Sequence, residues 1–246
     1  MRRILSIGSR STFYRGPVGR AGLHRHSAAA IVAAISPPLR VRSDDGVRHD
    51  VTSMYVPPDV PHEFDSDGDV AVFFAEPTST MHRRFESHYV LRTDEITLDP
   101  ALPLDWARFE WGEDDTIHDE IERELLPLGP VVADGHDPRV AAVVAHMRAH
   151  LDRSDGAADL AALVHVSPSR LSALFRTHVG MPIRRYRVWL RLHAAAAAIA
   201  EGSSLTDAAA TAGFADASHF STSARRVFGV APSDVLGAHL GVTIRA

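Results

Sequence analysis

Two stretches of this 246-residue chain repeat each other at a fixed offset of 49 residues, so whatever the first copy folds into, the second must fold into as well. The first runs Ser167-Pro168-Ser169-Arg170-Leu171-Ser172-Ala173-Leu174-Phe175-Arg176 and closes on Val179-Gly180. The second runs Asp216-Ala217-Ser218-His219-Phe220-Ser221-Thr222-Ser223-Ala224-Arg225 and closes on Phe228-Gly229. Ser167 and Asp216 carry the short oxygen-bearing side chains that satisfy the free N–H groups of a helix start. Leu171 aligns with Phe220, Ser172 with Ser221, Arg176 with Arg225, and Gly180 with Gly229 at the position where a left-handed cap ends a helix. An alanine-rich amphipathic segment precedes each copy, at 159–164 and 206–212. A short helix, a tight turn and a capped second helix form a DNA-reading motif, and two copies predict a tandem DNA-binding domain.

Charge is divided to match. Residues 1–136 hold 14 Arg against 23 Asp and Glu, a net of −9, whereas residues 137–246 hold 12 Arg against 8, a net of +4. A basic module joined to an acidic one suits a DNA reader attached to a sensor. Every cation is Arg. The guanidinium can grip phosphate or a guanine edge bidentately, although GC-rich coding, given the abundant Ala, accounts for this bias equally well. The chain has no Cys, which removes disulfides, thiolate zinc sites and Cys nucleophiles together. Only a few apolar residues follow Met1-Arg2-Arg3 before Gly8, too few for a signal-peptide core. No apolar run approaches the ~20 residues of a membrane span, so the expected location is the cytoplasm, without membrane partners.

From about 10 to 95 the pattern predicts strands: short apolar runs at 30–35, 39–42, 53–56 and 70–75, broken by turn-like clusters at 36–38, 43–46, 57–59 and 65–69. Many short strands at regular spacing suggest a sandwich or barrel. Within 96–136 one helix is predicted at 115–126, with Ile117, Ile121 and Leu125 in a narrow apolar stripe that could pair two protomers or pack on its own barrel. Asp134-Gly135-His136-Asp137-Pro138 reads as the joint. The expected organisation is a sensor barrel at 1–95, a linker or dimerisation segment at 96–136 and a DNA-binding domain at 137–246: a two-domain α+β chain, β-barrel first and all-α tandem helix-turn-helix second.

Beyond the joint, Val140, Val143, Val144, Met147 and Leu151 share one helical face. Residues 182–201 read as one long helix, apolar on most sides through Tyr186, Trp189, Leu190, Leu192, Ile199 and the alanines of 194–198. Such a helix belongs between two lobes. Its roughly 30 Å is close to the ~34 Å between successive major-groove faces, so one molecule could place both recognition helices on one side of a duplex. Leu171, Leu174 and Phe175, with Phe220 and Val227, suit the inward faces. The outward, DNA-facing set is then Ser167, Ser169, Arg170, Ser172, Ala173 and Arg176 in the first copy, and Ala217, Ser218, Ser221, Thr222, Arg225 and Arg226 in the second. Arg170, Arg176, Arg225 and Arg226 are candidates for phosphate contacts, which position without specifying.

Together these residues resemble the AraC/XylS family of bacterial transcription regulators. The resemblance rests on Ser167 to Phe175, on Gly180, on Tyr186 to Arg191, on Gly213-Phe214-Ala215-Asp216-Ala217-Ser218-His219-Phe220-Ser221 and on Phe228-Gly229-Val230-Ala231-Pro232, and it covers roughly 138–236. The DNA-repair relatives are excluded, because their chemistry needs a thiol. Many relatives carry Arg where this chain has Ala173 and Thr222. Without those two, a bidentate guanine contact worth ~1–3 kcal/mol of discrimination is absent at each position.

The strand-rich segment resembles the cupin-like sensor domain that precedes this DNA-binding domain in many relatives, on His24-Arg25-His26 and Val56-Pro57-Pro58-Asp59-Val60-Pro61-His62. Alternation along a strand points His24 and His26 the same way, and the resemblance places His62 beside them. Three neutral imidazoles suit Zn, Ni, Cu or Fe. Two departures count against a metal: the family's Glu is replaced by Ala30 or Ile31, and the Gly before the third His by Asp59. An organic effector lined by His24, His26, Tyr55, His62 and Phe64, with Glu63 nearby, is the second reading, and ordinary structural histidines are the third.

The resemblance implies a regulator, not an enzyme, that binds double-stranded promoter DNA and a small-molecule effector, acts as a homodimer and has RNA polymerase as a further partner. A divalent metal at the three-His site is the one cofactor considered. The alternatives are a metal-dependent cupin enzyme tethered to DNA and an effector-independent dimeric DNA-binding protein.

Overall fold

The computed structural model describes residues 3–8, 10–42, 46–89, 95–100, 117–124, 137–235 and 240–244. Strands come first: β1 (Arg3–Ile7), β2 (Ser11–Arg25), β3 (Ala29–Ala34), β4 (Leu39–Arg42), β5 (Arg48–Val51), β6 (Ser53–Val56) and β7 (Pro61–Ala75). Helix α1 (Thr80–Tyr89), strand β8 (Thr97–Leu98) and helix α2 (Ile117–Glu124) follow. Then come α3 (Pro138–Ala149), α4 (Ala157–Leu163), α5 (Pro168–Val179), α6 (Ile183–Ala200), α7 (Leu205–Thr211), α8 (Ala217–Phe228), α9 (Pro232–Val235) and strand β9 (Leu240–Ile244). The chain divides into two compact units, Met1–Val131 with Ser221–Ala246, and Val132–Phe220.

In the first unit the sheet runs β8-β6-β3-β7-β2-β1-β9, with β4 and β5 branching from β7. All pairings are antiparallel except that β9 lies parallel to β1. The expected barrel is corrected to an open antiparallel sheet: among the described residues no pairing joins the β8 edge to the β9 edge. β8 matches only two residues of β6 and offers little edge to close upon.

The two 15-residue strands, β2 and β7, carry the sheet. The acid-rich cluster at 65–69, expected as a turn, lies inside β7. Its charges are matched across the sheet: Arg40 bonds Asp65 through Nε and Asp67 through both terminal nitrogens, each at 2.7 Å. Arg48 reaches Asp65 at 3.0 Å. The ladder slips between Pro17 and Gly19, opposite 66–69, which is where a proline without an N–H can be tolerated in a central strand.

One face of this sheet is covered by α1 and α2. Phe13, Ile31, Tyr55, Phe73, Met81, Phe85 and Ile121 form a common core. Ser79 starts α1 by accepting the His82 N–H at 3.0 Å, although that stretch had been read as strand-like. Of the stripe that could have paired protomers, Ile121 is fully buried in this core. Leu125, the Ile117 side chain and the joint at 134–136 lie outside the described residues.

The second unit is helical. Asp137 caps α3 through the Arg139 N–H at 2.9 Å, and Val140, Val143, Val144 and Met147 are buried as the periodicity predicts. α6, at 18 residues, is about 27 Å long. Tyr186, Trp189, Leu190 and Leu192 are buried, whereas Ile199 is only half-buried. Arg187 and Arg191 on α6 hold the 151–155 break by donating to the carbonyls of Asp155 (2.6 Å), Leu151 (2.8 Å) and Arg153 (3.1 Å).

Candidate functional site

Two sites emerge: the repeated helix-turn-helix and a histidine cluster in the sheet. Both copies of the first begin with a seven-residue helix, α4 and α7. Each short helix ends in a left-handed residue, His165 at φ 54° and Gly213 at φ 78°. The next amide closes back on the helix, Val166 N–H to Ala161 at 3.1 Å and Phe214 N–H to Ala209 at 2.9 Å. These first helices and turns correspond at an offset of 48, while α5 and α8 correspond at 49. Ala215 is the extra residue, lengthening the second turn by one.

The recognition helices then match bond for bond. Ser167 Oγ accepts the Arg170 N–H at 3.2 Å, and Asp216 Oδ1 accepts the His219 N–H at 2.7 Å. Gly180 and Gly229 close the two helices at φ 75° and 74°. Leu171, Leu174, Phe175, Phe220 and Val227 are buried as expected. Ser167, Ser169, Arg170, Ala173, Arg176, Ser218, Thr222, Arg225 and Arg226 are exposed, with Ser172, Ala217 and Ser221 half-buried. Three hydroxyls are already engaged: Ser167 caps the helix, Ser169 Oγ lies 3.1 Å from Ser167 Oγ, and Ser172 donates to the Pro168 carbonyl at 2.8 Å.

In the sheet, His24 on β2 faces His62 on β7 as its cross-strand partner. A bulge between Ala21 and His24 turns Leu23 out to solvent, 73% exposed, and brings the Gly22 carbonyl under the His24 ring. The rings of His24, His26 and His62 have centroids 4.1 to 4.7 Å apart. All three are buried. His24 Nδ1 lies 2.7 Å from the Gly22 carbonyl and His62 Nδ1 lies 2.9 Å from the Val60 carbonyl. A carbonyl only accepts, so both Nδ1 atoms carry the proton and both Nε2 atoms present lone pairs. His24 Nε2 meets His26 Nε2 at 2.9 Å, so His26 donates there. That leaves His26 Nδ1 and His62 Nε2 buried without a partner.

Burial holds the imidazoles neutral: it pushes His24 down to about 4 and His62 to about 3, and takes His26 well below the usual histidine range, with the neighbouring rings adding to the last two. Neutral rings with fixed tautomers and an orphaned lone pair are what a cation needs. One ligand atom from each ring lies within 4.8 Å of the others, close enough for small shifts to gather all three around one ion.

Of the other expected pocket residues, Phe64 flanks the cluster, 6.2 Å from His24 and 6.5 Å from His62. Tyr55 does not. It pairs with Ile31, which pairs with Phe73, and packs 5.9 Å from Phe85 in the core, while Phe74, which touches His26 at 4.9 Å, takes the opposite face by alternation. Asp59 does not disturb its turn. It sits at φ 67°, which Asp tolerates better than most residues, and its N–H bonds the His26 carbonyl at 2.9 Å. Ala30 and Ile31 are buried in β3 and offer no ligand. Sequence reasoning missed a cavity of about 400 Å³ beside Phe64, lined by Arg20, Arg40, Arg42, Arg48, Glu63 and Asp65, because its charges are gathered from four strands.

Residues 160–238 match a family described as a helix-turn-helix domain. The HTH-type transcriptional regulator GbdR of Pseudomonas aeruginosa is 31% identical over 119 residues, a match covering 48% of this chain and 32% of that protein. This chain therefore spans about a third of the length of the curated relatives it matches. Among solved structures, ToxT from Vibrio cholerae superposes with a TM-score of 0.60 at 15% identity, covering 92% of this chain and 97% of that one. A ToxT structure with bound unsaturated fatty acid gives 0.59 at 12%, covering 96% and 98%. At these identities the likeness is one of fold: an antiparallel sheet domain with a helical helix-turn-helix domain. Among the described residues no helix is long and apolar enough to cross a membrane.

Proposed function

On the premise that this chain carries the tandem helix-turn-helix domain of the AraC/XylS family, we propose that it is a cytoplasmic, sequence-specific transcription regulator that binds double-stranded promoter DNA. The observation that carries the reading is the bond-for-bond equivalence of α5 and α8, each capped at its N-terminus and closed by a left-handed glycine. α5 presents exposed Ser169 and Arg170 from its first turn, and α8 presents exposed Ser218 and Thr222 from its first two turns. N-terminal residues of such helices meet base edges in the major groove. Ser169 and Ser218 are placed for base edges, and Arg170, Arg176, Arg225 and Arg226 for phosphates. The protein acts as a homodimer, with RNA polymerase as a further partner.

The sheet domain supplies the response. A ToxT structure holds a fatty acid; here the buried His24, His26 and His62 suit a small effector of another kind, one divalent transition-metal cation. The cation supplies a charged cross-link between β2 and β7. His24 and His62 would hold it through Nε2 lone pairs fixed by their Nδ1–H bonds, and His26 would join them once its proton moves from Nε2 to Nδ1. The matched relatives are transcription regulators, so the metal-dependent enzyme is not carried forward. Regulation follows from linkage: an effector shifts the chain between states only as far as its affinities for them differ.

The test is selection of duplexes from a random-sequence pool by the full chain, followed by fluorescence anisotropy at rising salt. The expected result is an enriched sequence bound with an affinity that falls steeply, by orders of magnitude between about 50 and 200 mM salt. Failure to enrich any sequence would overturn the regulator reading. Titration with Co(II), watched by its visible absorption, tests the cation: the wild-type chain should bind one equivalent and H62A none.

A further inference from the structure

We propose that occupancy of the three-histidine site is relayed to the DNA-reading helix α8 through the backbone of Gly22 and the Phe228-Gly229 end of that helix. The inference rests on the regulator reading and on the cation site, and adds how the second controls the first.

The residues concerned, 22–74 and 221–229, belong to one compact unit. Gly22 bonds in two directions through the two peptide groups that flank its Cα. Its carbonyl accepts from His24 Nδ1 at 2.7 Å, and its N–H donates to the Gly229 carbonyl at 3.3 Å. Gly229 is also the residue that ends α8, its N–H bonding the Arg225 carbonyl at 2.9 Å. It lies so close to His24 that a Cβ there would stand 2.6 Å from Nδ1 and 2.9 Å from Cε1. One residue back, the Phe228 ring packs 5.4 Å from Phe74, whose ring packs 4.9 Å from His26. Two of the three imidazoles therefore reach the end of α8, one through the backbone of Gly22 and one through a shared ring.

The geometry also supplies a stroke. His24 and His26 meet Nε2 to Nε2 at 2.9 Å, the length of a hydrogen bond. Two imidazoles on one tetrahedral ion, with metal–nitrogen bonds of ~2.0–2.1 Å, stand about 3.3 Å apart. Accommodating the ion moves the His26 proton from Nε2 to the unoccupied Nδ1 and separates the rings by a few tenths of an ångström. His24 has no slack on its far side, because its Nδ1 is tied to Gly22 and the Gly229 backbone is packed against the ring. Close-packed groups transmit such a displacement rather than absorb it. The groups beyond it are Arg225 and Arg226, exposed in the last turn of α8 and placed for phosphate.

Linkage makes this testable in both directions. If the cation changes DNA affinity by some factor, DNA must change cation affinity by the same factor. The experiment uses the full chain, Co(II) and Zn(II), and a duplex the chain itself enriches from a random pool. Co(II) affinity is measured with and without the duplex, and duplex affinity with and without saturating Zn(II). The expected result is a change of about fivefold or more, equal in the two measurements. F228A should hold Co(II) within about twofold of the wild type while reducing the coupling factor, because it removes the ring route and leaves the Gly22–Gly229 bond. H62A should lose both Co(II) binding and any effect of Zn(II) on DNA. Co(II) binding with a wild-type coupling factor of one would overturn the relay and leave the cation site standing. Failure of the wild type to bind Co(II) would overturn the cation site and the relay together. Failure to enrich a duplex would overturn the regulator reading. Unaltered coupling in F228A would overturn this route.

Discussion

Gly180 and Gly213 share a backbone conformation but not a neighbourhood, so replacing each by Ala separates two costs. Their φ angles are 75° and 78°. A left-handed backbone costs a residue with a Cβ about 1–2 kcal/mol wherever it occurs. At Gly180 nothing lies within 4 Å of where the Cβ would stand, so G180A should lose that much and no more. At Gly213 the Cβ would stand 2.6 Å from the Leu151 carbonyl oxygen and 3.2 Å from the Asp152 Cα. Both are backbone atoms, and the Leu151 oxygen is already held by Arg191 at 2.8 Å. Relief needs a shift of nearly 1 Å in a segment fixed at both sides, an overpacking cost of about 1–3 kcal/mol. G213A should therefore lose about 2–5 kcal/mol in all. Urea unfolding of the full chain, followed by far-ultraviolet circular dichroism, gives the comparison. At about 2–4 °C per kcal/mol for chains of this size, a thermal scan should place G213A several degrees below G180A. Equal losses would refute the steric argument and with it the close approach of the second turn to the 151–152 break.

Replacing Ser167 by Ala should cost about 1 kcal/mol, since the Arg170 N–H loses its cap, and the same urea titration reads it. I121A should cost about 2–5 kcal/mol by opening a cavity under the sheet; an unchanged midpoint would show that α2 does not pack there. Burial raises the Tyr14 phenol to about 12, offset in part by Arg3. The unfolded chain then gives up that proton from about pH 10 and the folded one does not. Stability contributed by the neutral phenol is full below pH 10 and falls by up to about 2–3 kcal/mol as pH rises toward 12, and Y14F should remove that slope. R170A and R225A should weaken selected and random duplexes by similar factors, whereas changes at Ser169 and Ser218 should alter which sequence is enriched; a base preference moved by R170A would contradict its phosphate role.

The helical half was legible because its signals are local. A cap oxygen, a buried triplet and a closing glycine lie within fourteen residues of one another, and the sequence repeats them. The sheet was less so. β2 contains Gly16, Pro17, Gly19 and Gly22, and β7 contains Asp65, Asp67, Gly68 and Asp69, all of which read as punctuation. They become strand only because two long segments pair with each other and because Arg40 and Arg48 arrive from other strands. His24 and His26 could be placed together from alternation, although the bulge that hands the Gly22 carbonyl to His24 leaves no mark in the pattern. Tyr55 was misplaced because a strand residue's face depends on its register with β3 and β7, which one strand alone does not reveal.

The parallel pairing of β9 with β1 has a consequence in time. Arg3 lies opposite Leu240, so β1, once it has left the ribosome, waits for its outer neighbour until the helix-turn-helix segment has been made. At 5–20 residues per second that wait is roughly 10–50 s. Throughout it, one side of β1 is an open edge of unpaired amides and carbonyls, the kind of surface on which other chains can add a strand. Synthesis of the reading helices thus precedes completion of the sheet, and a ribosome that stalls between them leaves a nascent chain with its sticky edge uncovered.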